Sequence, residues 1–282
     1  MTLILLLLTF FITIILTLTI RKYAHHKDLL DHPNDRSSHV TPTPKGGGLA
    51  IMVALYSVLT YLYLQTQVDA RLFFALLSAL PVIIISLIDD IYPLPAKMRF
   101  GVQLLSAVAA LYFLGGVSSI DFALFTLAGV WINLIALLGI VWMTNLYNFL
   151  DGIDGYAGSE ALFVGLAAYI LFDSQTALLI AAATAGFLLF NWHKASIFMG
   201  DVGSAPLGFI FAILILYDAS TPNLLGWLML LSLFWFDATL TLLRRAKRGE
   251  KLSQAHKKHV YQRLNQAGLA HDKVVLLAMG VN

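Results

Sequence analysis

An all-α, polytopic membrane helix bundle is the fold class that this sequence predicts, and three observations carry it. Apolar runs of roughly 15 to 25 residues recur along the whole chain. Only 12% of the 282 residues are charged, about half the share of an ordinary soluble domain. The basic residues gather between alternate runs and avoid the connections between the others.

A hydrocarbon core about 30 Å thick needs about 20 apolar helical residues. On that measure a single domain, 1–282, carries nine complete spans: 3–20, 46–64, 71–88, 100–117, 124–146, 157–172, 175–192, 205–219 and 224–243. The first run has no basic stretch before it and no small-residue cleavage site after it, so it reads as a retained span and not a signal peptide. The sixth and eighth are short. The segment from Val274 to Asn282 is too short to cross and reads as an incomplete, truncated tenth span.

These spans divide the connections into two sets. One comprises 21–45, 89–99, 147–156, 193–204 and 244–273; the other 65–70, 118–123, 173–174 and 220–223, with the N-terminus. All 18 lysines and arginines except Arg71, and all eight histidines, lie on or beside the first set. Basic residues accumulate on the cytoplasmic side. The expected arrangement is therefore a multi-pass protein of a bacterial-type inner cell membrane, with the first set cytoplasmic and the N-terminus outside. Topology alone explains the basic residues but not the histidines and carboxylates. The outer connections are short, which places function at the cytoplasmic mouths of the spans. The absence of cysteine excludes disulfides, zinc–thiolate sites and cysteine nucleophiles. A net charge of +2 gives no sign of a nucleic-acid partner.

Five polar clusters fall on that one side. The first runs from Asp31 through His32, Asn34, Asp35, Arg36 and His39 to Lys45 and the glycines Gly46, Gly47 and Gly48. Its prolines favour an extended loop, and glycines opening a helix permit close backbone approach where a helix N-terminus attracts phosphate. The second is Asp89-Asp90 at a span end, followed by Lys97 and Arg99. Adjacent carboxylates at a membrane boundary repel one another and are costly to desolvate, which points to a metal, a cationic partner or proton transfer. The basic pair could hold phosphates.

The third cluster is the run from Asn145 through Asn148, Asp151 and Gly152 to Asp154 and Gly155. Asn145, Asn148 and Asp151 share one helical face, and the glycines then break the helix. Amide and carboxylate oxygens suit a hard cation such as Mg²⁺. The fourth is Asp201 between Gly200 and Gly203 before an apolar run, which reads equally as a helix N-cap or as a second metal ligand. The fifth is the run Ser253-Gln254-Ala255-His256-Lys257-Lys258-His259-Val260-Tyr261-Gln262-Arg263, a cationic patch able to grip a diphosphate. Asp237, inside the ninth span, reads either as catalytic or as a holder of the loop that follows.

With these clusters in this order, the chain resembles the polyprenyl-phosphate N-acetylhexosamine-1-phosphate transferases from about Asp31 to Arg263. The superfamily includes phospho-N-acetylmuramoyl-pentapeptide transferase and the undecaprenyl-phosphate GlcNAc-1-phosphate transferases. The resemblance is carried by Asp89-Asp90, by N-x-x-N-x-x-D-G-x-D-G from Asn145 to Gly155, by the glycine-flanked Asp201, and by His256 and His259. It implies ten or eleven spans around a cytoplasmic groove, a UDP-N-acetylhexosamine donor and an undecaprenyl or other polyprenyl phosphate acceptor. It also implies Mg²⁺, with Mn²⁺ as a substitute, held by Asn148 and Asp201. Asp89 or Asp90 would deprotonate or orient the lipid phosphate, and Asp151 and Asp154 would help fix the nucleotide. Arg99 or Lys97 and the final loop would hold phosphates and sugar. That loop reads H-x-x-H-x-Y-Q-R and lacks the contiguous histidine run of the muramoyl-pentapeptide enzymes. This difference favours the O-antigen and surface-polysaccharide initiators, and a homodimer is compatible with the resemblance.

Two other enzyme classes and a transporter fit less well. A membrane aromatic prenyltransferase expects two D-x-x-x-D-like clusters, whereas Asp201 stands alone between glycines. A CDP-alcohol phosphotransferase expects D-G-x-x-A-R, whereas Asp151-Gly152 continues into Ile153-Asp154-Gly155. Transporters place polar residues near the bilayer midplane; here only Asp237 lies deep within a run.

Overall fold

The computed structural model describes residues 2–33, 37–122, 124–251 and 256–282. Asn34, Asp35 and Arg36 of the first cluster, and Ser253, Gln254 and Ala255 of the fifth, lie outside the described residues. Helices dominate: α1 (Leu3–His26), α2 (Gly48–Leu64), α3 (Ala70–Leu77), α4 (Leu80–Ile91), α5 (Ala96–Leu114), α6 (Trp131–Phe149), α7 (Tyr156–Phe172), α8 (Gln175–Asn191), α9 (Asp201–Tyr217), α10 (Asn223–Leu230), α11 (Ser232–Lys247), α12 (Val260–Gln266) and α13 (His271–Val281). Two small antiparallel ribbons complete it, β1 (Leu30–Asp31) with β2 (Thr43–Pro44) and β3 (Ser119–Asp121) with β4 (Thr126–Ala128).

Apolar helix occupies every expected span, with differences that have local causes. Among the described residues, four runs are long and apolar enough to cross a membrane: α1, α3 continued by α4, α5 and α6. The pair α10 and α11 qualifies together, bent by 66°. Four more apolar helices, α2, α7, α8 and α9, have 17 residues each. Pro81, in the first turn of α4, cannot donate a backbone hydrogen bond, and its ring opposes continuation of α3. At the bend between α10 and α11, the Trp235 indole N–H takes up the Leu228 carbonyl at 2.8 Å. The expected fifth span, 124–146, begins later, at Trp131, because its first residues pair as the β3–β4 ribbon. The Asp121 N–H donates to the Ala219 carbonyl at 2.9 Å and ties this ribbon to the end of α9. The segment from Val274 onward lies in the short helix α13, which packs against α7.

Helix α9 is the axis of the bundle. Every residue from Val202 to Ile215 is buried, and α2, α4 and α6 pack around it. In lipid, helices gain by close packing of small residues more than by hydrophobic exclusion. Gly48 of α2 and Gly203 of α9 meet backbone to backbone, and a Cβ on either would run into the other. Thr9, Thr13 and Thr17 give α1 a buried stripe, each hydroxyl returned to the carbonyl four residues back. The outer faces carry exposed Leu3, Phe11, Ile15, Leu105, Leu138 and Ile170, as a multi-pass membrane protein requires.

The helices bring the described residues of the connections at 27–33 and 37–47, 92–95, 150–155, 192–200, 248–251 and 256–270 to one end of the bundle. The β3–β4 ribbon and the turns at 65–69, 173–174 and 218–222 lie at the other. Gly203→Val is expected to destabilise the bundle by about 1–3 kcal/mol through overpacking, read as a lower melting temperature in detergent. Gly101→Ala, whose Cβ meets nothing within 4 Å, should leave the melting temperature unchanged or raise it.

Candidate active site

The second and fourth clusters meet where α4 ends and α9 begins. The first N–H groups of a helix lack partners within it. At α9 they are taken by Asp90: its carboxylate accepts from the Asp201 N–H at 3.2 Å and the Val202 N–H at 3.0 Å. Gly200, at φ +75°, turns the chain into α9 so close to Asp90 that a side chain there would collide with the carboxylate. Asp201 is therefore not the cap of its own helix, and its side chain is left for other work. Arg99, from the first turn of α5, binds Asp89 at 2.5 Å and Asp201 at 3.0 Å. The other Asp89 oxygen accepts from the Leu94 N–H at 2.6 Å. Lys45 stands 3.9 Å from Asp90.

The third cluster closes the next side. Asn148, in the last turn of α6, donates to the Ser204 hydroxyl at 3.0 Å, and its side chain also reaches the Asp201 carboxylate. Asp151 follows on the loop to α7. Burial, with the negative charges of Asp201, Asp90 and Asp154, pushes its carboxyl up to about 8. Gly152 lies flat against the Tyr261 ring, where a Cβ would strike the hydroxyl. That hydroxyl donates to the Phe149 carbonyl at 3.1 Å, so α12 is latched onto the end of α6. Asp154 is bound by His193 and His271, each Nδ1 lying 3.1 Å from the same carboxylate oxygen, and by the Ala195 N–H at 3.2 Å. Burial raises the Asp154 carboxyl, but the hydrogen bond and charge of His271, with Ala195 and His193, outweigh it and hold the group below the usual carboxylate range.

The last loop hangs from Asp237. Both oxygens of that carboxylate accept the Val260 N–H, at 3.1 and 3.0 Å, and Asp237 is buried. Of the two roles read from the sequence, the structure displays the loop-holding one. Lys257 donates to the Ser37 carbonyl at 3.1 Å, which brings the first and fifth clusters together.

A cavity of about 470 Å³ opens among these groups. Asp90, Asn148, Asp151 and Asp201 line it together with Asp154 and His271, and Lys45 and His39 reach it from the first loop. Four clustered carboxylates, Asp89, Asp90, Asp151 and Asp201, face two cations, Lys45 and Arg99. This arrangement can receive a polyphosphate through a divalent cation. Asn145 is turned away, its amide donating to Gln103 of α5 at 2.7 Å. Lys97 and Arg263 are exposed and lie outside the cavity lining; half-buried His256 and buried His259 lie outside it too. Gly47 and Gly48 were expected to offer N–H groups to phosphate. Instead these donate to the Phe198 and Met199 carbonyls, each at 2.9 Å, so the glycines pack two loops together. His193 and His271 escaped the motif reading; their only signal was that every histidine fell on one side.

Comparison with known proteins gives a consistent picture. The model of glycosyl transferase family 4 matches residues 72–218. The chain is 30% identical to the Bacillus subtilis (strain 168) protein described as "Probable undecaprenyl-phosphate N-acetylglucosaminyl 1-phosphate transferase", over 94% of this chain and 77% of that one. It is 30% identical to a Mycobacterium leprae decaprenyl-phosphate N-acetylglucosaminephosphotransferase, over 90% of this chain and 74% of the relative. Against the Escherichia coli (strain K12) undecaprenyl-phosphate alpha-N-acetylglucosaminyl 1-phosphate transferase the identity is 25%, over 91% and 74%.

A pH dependence follows from His259. Burial, with nearby His256 and Arg245, pushes its imidazole down to about 4 from the usual 6.5. The unfolded chain then binds the extra proton between those values. The stabilisation is complete above pH 6.5 and is lost as pH falls towards 4, up to about 3 kcal/mol. The melting temperature in detergent should fall over that window, and His259→Asn should flatten part of the fall.

Proposed function

The chain belongs to glycosyl transferase family 4, within the polyprenyl-phosphate hexosamine-1-phosphate transferases, and from that membership we propose the reaction it carries out. It transfers N-acetylhexosamine-1-phosphate from a UDP-sugar to undecaprenyl or another polyprenyl phosphate. UMP is released, and the polyprenyl-diphosphate-sugar begins a cell-envelope polysaccharide, with a surface polysaccharide such as O-antigen as its end. The site faces the cytoplasm. The observation that carries this reading is the cavity at the span ends, where Asp90, Asn148, Asp151 and Asp201 converge with Lys45 beside Arg99.

The donor set fits Mg²⁺, with Mn²⁺ as a substitute. Asn148 and Asp201 are oxygen ligands of the kind a hard cation takes alongside substrate phosphates. Among the described residues, Asp89, Asp90, Asp151 and Asp201 face only Lys45 and Arg99, and a divalent ion would favour the charged form of the acids in excess of those two cations. Bound there, Mg²⁺ would neutralise diphosphate oxygens and stabilise the departing nucleotide monophosphate.

The remaining work is positioning. Asp90 fixes the start of α9 and so places Asp201. Asp89 aims Arg99, which holds a phosphate as the lipid arrives along the span ends. A phosphate monoester has a second pKa of about 6, so the acceptor is largely dianionic at neutral pH and needs charge neutralisation more than a strong base. Its oxygen attacks the sugar-bearing phosphorus directly, forming the new P–O bond as the bond to UMP breaks. Every Asp89 and Asp90 oxygen already has a donor or cation beside it, which disfavours either as a covalent nucleophile. Trapping a phosphorylated enzyme with donor alone would overturn the direct route.

The test uses purified full-length protein with Mg²⁺, undecaprenyl phosphate and a panel of UDP-N-acetylhexosamines, following UMP. Lipid-dependent release from one donor is expected. Asp201→Ala should lower it at least about a hundredfold, the scale of losing a central charge-stabilising group, and a chelator should abolish it until Mg²⁺ or Mn²⁺ is restored. Folded protein that releases UMP from no donor, or releases it equally without lipid, would refute the reading.

A further inference from the structure

At the edge of the cavity, which Asp154 and His271 help to line, three side chains from distant parts of the chain converge. Among the described residues, Asp154, His193 and His271 are the only group of three histidine, cysteine or acidic side chains whose ligating atoms all lie within 4.8 Å of one another. Asp154 comes from the loop between α6 and α7, His193 from the connection after α8, and His271 opens α13. Both imidazoles present Nδ1 to one carboxylate oxygen, at 3.1 Å each.

Hydrogen bonding satisfies this arrangement only in part, because one ring nitrogen, His271 Nδ1, faces both the Asp154 carboxylate at 3.1 Å and the Asp154 N–H, and it can donate to the first or accept from the second but not both. The Asp154 backbone N–H points at His271 Nδ1, 3.3 Å away. If it donates there, that nitrogen turns a lone pair inward and has no proton for the Asp154 oxygen 3.1 Å off. Two lone-pair atoms then face each other in a buried place, which is repulsive unless a cation lies between them. Zinc binds imidazole nitrogen and carboxylate oxygen at about 2.0–2.2 Å, so ligands of a tetrahedral ion stand about 3.3 Å apart. The 3.1 Å separations are close to that. The Ala195 N–H on the carboxylate supplies the supporting hydrogen bond that such ligands usually have.

We propose that Asp154, His193 and His271 form a second divalent-cation site, of the imidazole–carboxylate kind that takes Zn²⁺ or Co²⁺, distinct from the Asn148–Asp201 position. Three protein ligands leave a fourth position. Asp154 and His271 line the cavity, so that position opens to water or to a phosphate oxygen. The bound ion pins α13 and the 192–195 connection to the loop carrying Asp151. The chain has no cysteine, so no thiolate competes for the metal.

The test does not depend on the transfer reaction. Full-length protein in detergent, stripped with chelator and kept in excess Mg²⁺ to cover the acidic cluster, is titrated with Zn²⁺ alone. One equivalent should bind and raise the melting temperature. His271→Ala should weaken binding at least tenfold, and His193→Gln, a second variant in case the first fails to fold, should do the same. Asp201→Ala should leave the affinity unchanged. Co²⁺ on the unsubstituted chain should give the visible absorption of a low-coordinate, nitrogen-ligated ion. Absence of binding, in which case the three residues are a hydrogen-bonded clamp only, would overturn the proposal. So would binding untouched by the histidine substitutions or lost with Asp201→Ala.

Discussion

One carboxylate closes the end of a helix that is not its own, and the rest of the site is arranged around that contact. Asp90 of α4 accepts the first two N–H groups of α9. Without it the N-terminus of the most buried helix would face a row of acids with its donors unsatisfied. With it, the positive end of α9 offsets part of the charge of Asp90. Asp201 is then free of capping duty and turns towards Arg99 and Asn148. The paired acids have separate tasks: Asp90 holds a helix, and Asp89 aims an arginine.

This economy suits a reaction in which the protein has little covalent chemistry to do. Moving a phosphoryl-linked sugar onto a lipid phosphate brings several negative charges together at the edge of a low-dielectric slab, where their repulsion is poorly screened. The bundle meets that demand with groups preset by backbone contacts. The Gly48–Gly203 approach sets the distance from α2 to α9, the Tyr261 hydroxyl latches α12 to α6, and Asp237 hangs the last loop. Such placements need no rearrangement as charge develops.

Much of this was legible in the sequence because its signals are local. The spans follow from apolar runs, and the carboxylates and amides from Asn145 to Asp154 lie close enough for spacing to put them on one structure. The glycine-flanked Asp201 was visible too, though its freedom from capping was not, since the cap arrives from a residue 111 positions earlier. The same distance hid the pairing of Asp154 with His193 and His271, 39 and 117 residues away. Asn145 shared the helical face of Asn148 in the sequence pattern, yet it is bound to Gln103, a neighbour that only helix packing reveals. The β3–β4 ribbon was read as membrane span because Leu124, Phe125 and Leu127 are as apolar as the helix after them. Composition does not record the positive φ of Gly129 that precedes the helix start.

The central claim, that Asp90 holds the start of α9 and through it the site, is tested most directly by amide hydrogen exchange at Asp201 and Val202. Removing a helix cap costs about 1–2 kcal/mol, so Asp90→Ala should speed exchange at those two amides by roughly 5- to 30-fold. Asp89→Ala, which leaves both Asp90 contacts to the α9 N–H groups in place, should change them far less. Equal protection of the two amides in the wild type and in Asp90→Ala would contradict the account.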